Sequence, residues 1–292
     1  PMEGDERIGS SAYMFSALTS LSKMARLLDE KDKALEYEKL LSDYQERFNI
    51  DWWTQINSKK NRPVEIGYEN FPTSRVNDGR PGKERYWMSM LPNYLGLSTP
   101  ENAEKSLTDF QDNWQSSYGI TGKFLESSLV SKGVGLMATG ITSTSAFRNK
   151  KGTLGIKLLR HVARSTYEYG LPGLMGACQP HICDNPIQLW SFGVFLEALI
   201  GGLVGLNAQN MDQITWTPYF PSDMSYYQLL DFSFQGRKLN FRWKNTQGID
   251  ELEFWESDGK RVHVTLDLSH RKNFPIFLNG EKVSGQKILI EL

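Results

Sequence analysis

The apolar residues of the first segment recur every three or four positions, the spacing that places side chains on one face of an α-helix. They are Tyr13, Ala17, Leu21, Met24 and Leu28. Ser10 or Ser11 can cap the N-terminus of this helix, and the acidic pair Asp29-Glu30 ends the apolar stripe. The pattern therefore predicts a first helix from about residue 10 to residue 28.

Five later segments also have helical patterns. The second helix, at 32–48, carries its charges away from its apolar side, so its charged face is expected in solvent. Two connections, 49–83 and 114–150, are long, and connections of that length in a compact domain usually carry function. The other helices are predicted at 84–95, 100–113, 153–169 and 186–206. The last is almost wholly apolar from residue 189 onwards and is expected to be buried.

After residue 206 the apolar period changes to two, which is typical of β-strands. An Asn279-Gly280 turn lies between two extended runs, as in a hairpin. We therefore expect a helical domain over 1–206 and a small antiparallel β domain over 207–292, with Pro218 and Pro221 in the link between them. The alternating apolar positions are Leu239, Phe241, Trp243, Val262, Val264, Leu266 and Leu268.

Six helices in sequential pairs form three hairpins, the arrangement of an (α/α) toroid. The familiar closed toroid has six hairpins, so three hairpins would leave helix faces uncovered. We therefore expect this chain to be half of such a toroid. Its open side would be covered either by an N-terminal half-barrel chain or by a second copy in a homo-oligomer.

Composition narrows the classes of partner. The 33 Lys and Arg residues balance 34 Asp and Glu residues, which argues against a nucleic-acid or membrane partner. No apolar run approaches the roughly 18 residues of a membrane span. Eight Trp and 12 Tyr residues, several of them in predicted loops, suit a ligand cleft. The four His residues are scattered and the two Cys residues lack zinc spacing, so no metal and no cofactor is expected.

Two stretches carry a resemblance to six-hairpin glycoside hydrolases, the glucoamylase-like and amylo-α-1,6-glucosidase-like enzymes. The first runs from Ile8 through Ala34-x-x-Tyr-Glu38 to Trp52-Trp53, and is similar to a helix pair in the second half of their barrel. The second, Asn185-Pro-Ile-Gln-Leu-Trp-Ser191 followed by an apolar stretch ending at Gly205-Leu206, resembles their closing helix. Thr217-Pro-x-x-Pro221 and the β-rich tail are similar to the β domain that follows the barrel.

The resemblance implies a carbohydrate substrate and hydrolysis by two carboxyl groups, one protonating the leaving oxygen and one activating water or attacking the sugar. It implies a base in the loop before the closing helix, where Asp184 lies. Many relatives have a Glu there, and Asp184 is also a suitable N-cap for a helix opening at Pro186. Glu126, in the glycine-rich connection, is the competing carboxylate. A sugar phosphorylase, a lyase and a non-catalytic carbohydrate-binding module are the alternative functions.

Aromatic and planar polar side chains complete the predicted sugar site. Aromatic faces stack on the C–H faces of sugar rings, and amide, guanidinium and carboxylate groups bond the hydroxyls. Each aromatic can equally belong to a core, and Arg75 and Arg80 can equally form salt bridges with Asp78. The candidates for binding substrate are Trp190, Gln188, His181, Trp87, Tyr86, Trp52, Trp53, Arg75, Asp78, Arg80, Glu6 and Arg7.

Overall fold

The computed structural model of the chain describes residues 8–54, 86–113, 115–116, 119–120, 134–168, 178–179, 189–208, 213–256, 263–269, 275–283 and 287–291. In these ranges no helix is both long and apolar enough to cross a membrane.

Seven α-helices form the helical part of the described chain. Predicted and observed bounds agree closely for the first, third and fourth helices. A π-helical segment, Ala198–Val204, continues the last helix and ends at Gly205, whose φ is +82°. The helices are α1 (Ile8–Leu27), α2 (Lys31–Thr54), α3 (Tyr86–Leu95), α4 (Pro100–Asn113), α5 (Leu136–Arg148), α6 (Gly152–Glu168) and α7 (Leu189–Glu197).

The odd-numbered helices pack in sequence, α1 on α3, α3 on α5 and α5 on α7, while α2, α4 and α6 each pack on the helix that precedes them. Short turns join the helices within each pair, and the long connections precede α3, α5 and α7. The arrangement is two layers of helices. A complete six-hairpin toroid stays a prediction, because the described helices do not establish one.

Helix α5 was absent from the sequence prediction, which placed residues 136–148 inside a connection. Hydroxyl residues hide its periodicity, because they are buried although polar. Two of these hydroxyls are satisfied by backbone carbonyls: Ser145 Oγ donates to Ile141 O at 2.9 Å, and Ser143 Oγ donates to Gly155 O in α6 at 2.7 Å. The buried hydroxyl residues are Thr139, Thr142, Ser143, Thr144 and Ser145.

Two further helix predictions need correction. Helix α2 continues to Thr54, so Trp52 and Trp53 lie in its last turn and not in the following connection. The prediction that the last helix is buried is confirmed for its C-terminal half, where Ala198, Leu203 and Val204 are buried, and is wrong for its start, since Leu189 and Trp190 are 79% and 61% exposed. Helix α7 is exposed on its outer side, because no described helix lies beyond it in the row.

The C-terminal part forms two sheets, of four and five strands. The four-stranded sheet has the order β13-β10-β6-β5 and the five-stranded sheet the order β12-β11-β9-β8-β7. The strands are β5 (Leu206–Ala208), β6 (Gln213–Trp216), β7 (Tyr226–Phe234), β8 (Arg237–Thr246), β9 (Ile249–Glu256), β10 (His263–Asp267), β11 (Ile276–Leu278), β12 (Glu281–Val283) and β13 (Lys287–Glu291).

The expectation of a purely antiparallel domain is wrong, because β6 pairs with β10 and β9 pairs with β11 in parallel. The chain changes sheet between these strands, and parallel neighbours require such a crossover. The predicted hairpin is confirmed: Asn279 and Gly280 have φ values of +49° and +85°, as a type I′ turn requires, and join β11 to β12. Leu239, Phe241 and Trp243 are buried as their alternation predicts.

One hydrophobic core joins the sheets to the helices. Trp216 lies edge-on to Phe241 with ring centroids 5.1 Å apart, and Phe241 stacks on Phe254 at 4.9 Å. Ile156 of α6 and Leu203 of the π-helical segment belong to the same buried cluster. The helical and β parts therefore fold against each other, and a boundary at residues 206 and 207 stays a prediction.

Candidate functional site

A two-residue strand pair links the connections that precede α5 and α7. Strand β3 (Val134–Gly135) leads directly into α5, and β4 (Cys178–Gln179) lies in the connection before α7. They pair antiparallel, with Val134 opposite Gln179 and Gly135 opposite Cys178. The two connections are thereby paired at these four residues. A second short pair, β1 (Gln115–Ser116) with β2 (Gly119–Ile120), contacts β3 and the helices α5 and α6.

The direction of this pairing matters for the two predicted catalytic carboxylates. In an antiparallel pair the start of one strand adjoins the end of the other. The chain towards Glu126 therefore leaves β3 at the same end of the pair as the chain towards Asp184 leaves β4. Glu126 and Asp184 themselves lie outside the described residues.

Trp190 is the predicted sugar-binding residue whose side chain the structure describes. It lies in the first turn of α7 and is largely exposed. Trp52 and Trp53 are placed on the last turn of α2, and Tyr86 and Trp87 on the first turn of α3. The predicted residues outside the described ranges are Glu6, Arg7, Arg75, Asp78, Arg80, His181 and Gln188.

A polar cluster that the sequence did not reveal joins the C-terminal ends of α3, α5 and α7. Glu197 accepts a hydrogen bond from the Tyr94 hydroxyl and pairs with Arg148 Nη2 at 2.7 Å. Arg148 also donates to the backbone carbonyl of Tyr94, and its guanidinium lies 5.1 Å from the centre of the Tyr94 ring. Burial and the Glu197 carboxylate raise the pKa of Tyr94 well above its usual range, so its phenol stays protonated and donates.

The three side chains come from helices far apart in sequence, so no local spacing of residues predicts that they form a cluster. Arg148 is in the last turn of α5, where a cation also offsets the negative end of the helix dipole. The cluster is half-exposed, and its hydrogen bonds and ion pair connect the ends of three helices. Across the described ranges, no group of three His, Cys, Asp or Glu side chains could hold a metal ion.

No protein-family model matches the chain, and no curated protein matches it. Among solved structures it is similar to a sialidase, with a TM-score of 0.65 and 15% identity over 88% of this chain. The chain spans about a quarter (25%) of the length of that sialidase. This likeness shows that the two proteins share a fold over most of this chain.

Two further structures are more distant. One is described as a kojibiose phosphorylase from the human microbiome, with a TM-score of 0.38 and 13% identity over 70% of this chain and 24% of that chain. The other is a GH127 β-L-arabinofuranosidase from Geobacillus stearothermophilus T6, with a TM-score of 0.34 and 11% identity over 71% of this chain and 39% of that chain. All three names denote enzymes that act on carbohydrates. The TM-scores of the phosphorylase and the arabinofuranosidase are too low to support an argument about the fold.

Proposed function

We propose that the chain is a glycoside hydrolase, or the C-terminal half of one, that cleaves a glycosidic bond by carboxylate acid and base catalysis. The observation that carries the proposal is the β3–β4 pair, because it joins the two connections that contain Glu126 and Asp184. The shared fold with a sialidase supports the carbohydrate substrate. The proposed site lies where these connections enter α5 and α7.

The reaction needs one carboxyl group as base and one as acid, and of the two competing candidates we propose Asp184 as the base and Glu126 as the acid. The Glu126 carboxyl group protonates the leaving glycosidic oxygen, while the Asp184 carboxylate takes a proton from the attacking water in an inverting reaction or attacks the sugar in a retaining one. A separation of roughly 6.5 to 9.5 Å would leave room for the water, and about 5 to 5.5 Å would favour direct attack. His181 and Gln188 flank Asp184 in sequence and are proposed to bond substrate hydroxyls.

The exposure of the Trp190 indole supports the choice of ligand. Large aromatic side chains usually bury most of their surface, yet Trp190 is exposed on the first turn of α7. We propose that it stacks on a sugar ring. The same role is proposed for the aromatics on α2 and α3, and hydroxyl binding for the remaining polar candidates. These residues are Trp52, Trp53, Tyr86, Trp87, Arg75, Asp78, Arg80, Glu6 and Arg7.

The experiment is a panel of aryl glycosides assayed with the wild-type chain and with Asp184→Asn and Glu126→Gln. Each substitution is expected to lower kcat by about 10²- to 10⁴-fold, the usual contribution of a general acid or base. Glu281→Gln, an exposed position on β12, is the matched control and should leave the rate unchanged. Unchanged activity in both site variants would refute the assignment. Cleavage that requires inorganic phosphate would favour the phosphorylase alternative instead.

We also propose that a further helical layer covers the outer apolar side chains of α1 and α2, supplied by an N-terminal half-barrel chain or by a second copy. Exposed apolar surface larger than a few hundred Å² usually marks an interaction site. Sedimentation of the wild-type chain and of Met24→Ser with Leu28→Ser tests the second copy, which predicts dissociation of the variant. The exposed residues are Tyr13, Met14, Leu21, Met24, Leu27, Leu28, Leu35, Leu40 and Ile50.

A further inference from the structure

A cavity of about 780 Å³ lies where the turn between α5 and α6 meets the β part of the chain. Its volume falls within the range of roughly 300 to 1,000 Å³ that small-molecule sites occupy. Phe147, Thr153 and Gln111 line it from the helices, and Tyr219, Asn207 and Ser269 line it from the β part. It is separate from the proposed catalytic site, because it lies at the C-terminal end of α5 and not at the β3–β4 end.

Two aromatic rings form an apolar wall of this cavity. Phe147 and Tyr219 are half-buried and meet edge to face, with ring centroids 5.7 Å apart. Glycines back both rings: a Cβ at Gly152 would overlap the Tyr219 ring, and a Cβ at Gly202 would lie 2.9 Å from Phe147 Cγ. The rings are therefore held in fixed positions against the backbone.

Hydroxyl and amide groups stand beside this aromatic wall. The Tyr219 hydroxyl and Thr153 Oγ1 share a hydrogen bond of 2.9 Å, in which either oxygen can donate. The Gln111 and Asn207 amides and the Ser269 hydroxyl complete the polar lining. A few placed donors and acceptors beside an apolar wall give orientation to a ligand that carries hydroxyl groups.

The charges of the cavity favour a neutral ligand over an anion. Its cations Arg148 and Lys151 are already paired with Glu197 and Glu104, respectively. The Asp267 carboxylate and the remaining cation, Lys150, also line the cavity. An anion would therefore have to compete with three carboxylates that lie in or beside the site, whereas a neutral polyhydroxyl ligand would not.

A smaller cavity of about 320 Å³ adjoins the first and shares Arg148, Gly201 and Asn207 with it. Thr144 lines this smaller cavity and is 2% exposed. Its Oγ1 has no hydrogen-bond partner among the described residues. A buried hydroxyl left unsatisfied costs about 1 to 3 kcal/mol, so a ligand hydroxyl or a bound water would relieve that cost.

We propose that this cavity is a second carbohydrate site, which binds a neutral mono- or disaccharide away from the point of cleavage. Only the choice of saccharide as ligand class rests on the proposed function. In this proposal a sugar ring packs against Phe147 and Tyr219, and its hydroxyl groups form hydrogen bonds with the hydroxyl and amide groups of the lining. The smaller cavity accommodates a second sugar ring.

Saturation-transfer NMR and calorimetric titration with glucose, mannose, galactose and maltose test the proposal, with inorganic phosphate as an anionic probe. The protein should carry Asp184→Asn and Glu126→Gln, so that the proposed catalytic site cannot turn the probes over. Ser269→Trp and, separately, Gln111→Trp should fill the cavity and weaken saccharide binding at least about tenfold, equivalent to 1.4 kcal/mol. Gln228→Trp, exposed on β7 and outside the cavity lining, should bind as the parent does.

Each outcome separates the two proposals. Saccharide binding that is lost in either cavity variant supports the second site, whether or not the wild-type chain hydrolyses glycosides. No binding of any saccharide probe by the parent would overturn it, as would binding that both cavity variants retain. Binding of phosphate in place of the sugars would overturn the assignment of a neutral ligand.

Discussion

At Gly140 the backbone of α5 lies close to Val194 of α7, and replacing this glycine with alanine should push the two helices apart. A Cβ at Gly140 would overlap Val194 Cγ2 and lie 3.0 Å from Val194 Cβ and 3.3 Å from Val194 C. Real Cβ atoms are almost never found this close to another carbon. A rotation of the Val194 side chain can move Cγ2 but not Cβ or the backbone C, so two tight contacts would remain.

The size of the effect follows from two opposing terms. Alanine is favoured over glycine in a helix interior by about 1 kcal/mol. Overpacking a buried contact costs about 1 to 3 kcal/mol. Gly193→Ala is the matched control, since Gly193 lies in α7 with no atom within 4 Å of a Cβ at that position. The control should therefore gain up to about 1 kcal/mol, and Gly140→Ala should be less stable than the control by about 1 to 3 kcal/mol.

Urea unfolding of the whole chain, followed by circular dichroism at 222 nm, measures both free energies of unfolding. The difference between the variants isolates the steric term, because the gain in helix propensity is common to both. Adding Val194→Ala to Gly140→Ala should recover part of the loss by removing the overlapping methyl groups. If Gly140→Ala proves as stable as Gly193→Ala, the close approach of α5 and α7 is refuted.

Three further predictions concern single polar side chains. Burial and the Asp250 charge raise the pKa of Tyr227, so above about pH 10 the unfolded chain loses a proton that the folded chain keeps. This group should lower stability by up to about 1.4 kcal/mol per pH unit, and Tyr227→Phe should make the slope of alkaline denaturation shallower by that amount, while the contribution of Tyr94 remains. Asn49→Ala should lower the free energy of unfolding in urea by about 1 to 3 kcal/mol, because the Asn49 amide donates a hydrogen bond to Leu97 O and accepts one from the Thr99 N–H. Glu197→Gln should cost less than about 1 kcal/mol, since its pair with Arg148 is half-exposed, and should lower the pKa of Tyr94 in absorbance titration.

Elements with a strict apolar period could be predicted from the sequence. The stripe that begins at Tyr13 predicted α1, the alternation around Phe241 predicted β8, and Asn279-Gly280 predicted the hairpin. Helix α5 could not be predicted in this way, since its buried face carries hydroxyl groups that a hydrophobicity pattern counts as polar. Parallel pairing of β6 with β10 also escaped prediction, because strand neighbours depend on tertiary contacts and not on the local pattern.

In the candidate site, too, only residues that belong to a local sequence pattern could be predicted. Trp190 could be singled out because it belongs to a recognisable local motif, whereas the cluster of Tyr94, Arg148 and Glu197 could not, because it exists only when three helix ends meet. A resemblance carried by short motifs can indicate residues that act within one loop. Such a resemblance cannot indicate side chains that only the packing of helices brings together.

Helix α5 is the element that connects the two proposed carbohydrate sites. Strand β3 enters its N-terminus, and at its C-terminus Phe147 and Arg148 line the cavity beside the β part. It packs on α3, α6, α7 and the π-helical segment. Small residues suit this position because they let neighbouring helices approach closely, and the Ser143 and Ser145 hydroxyls are satisfied by helix backbone carbonyls. The feature that hid α5 in the sequence is thus the one that lets it lie at the centre of the helical layer.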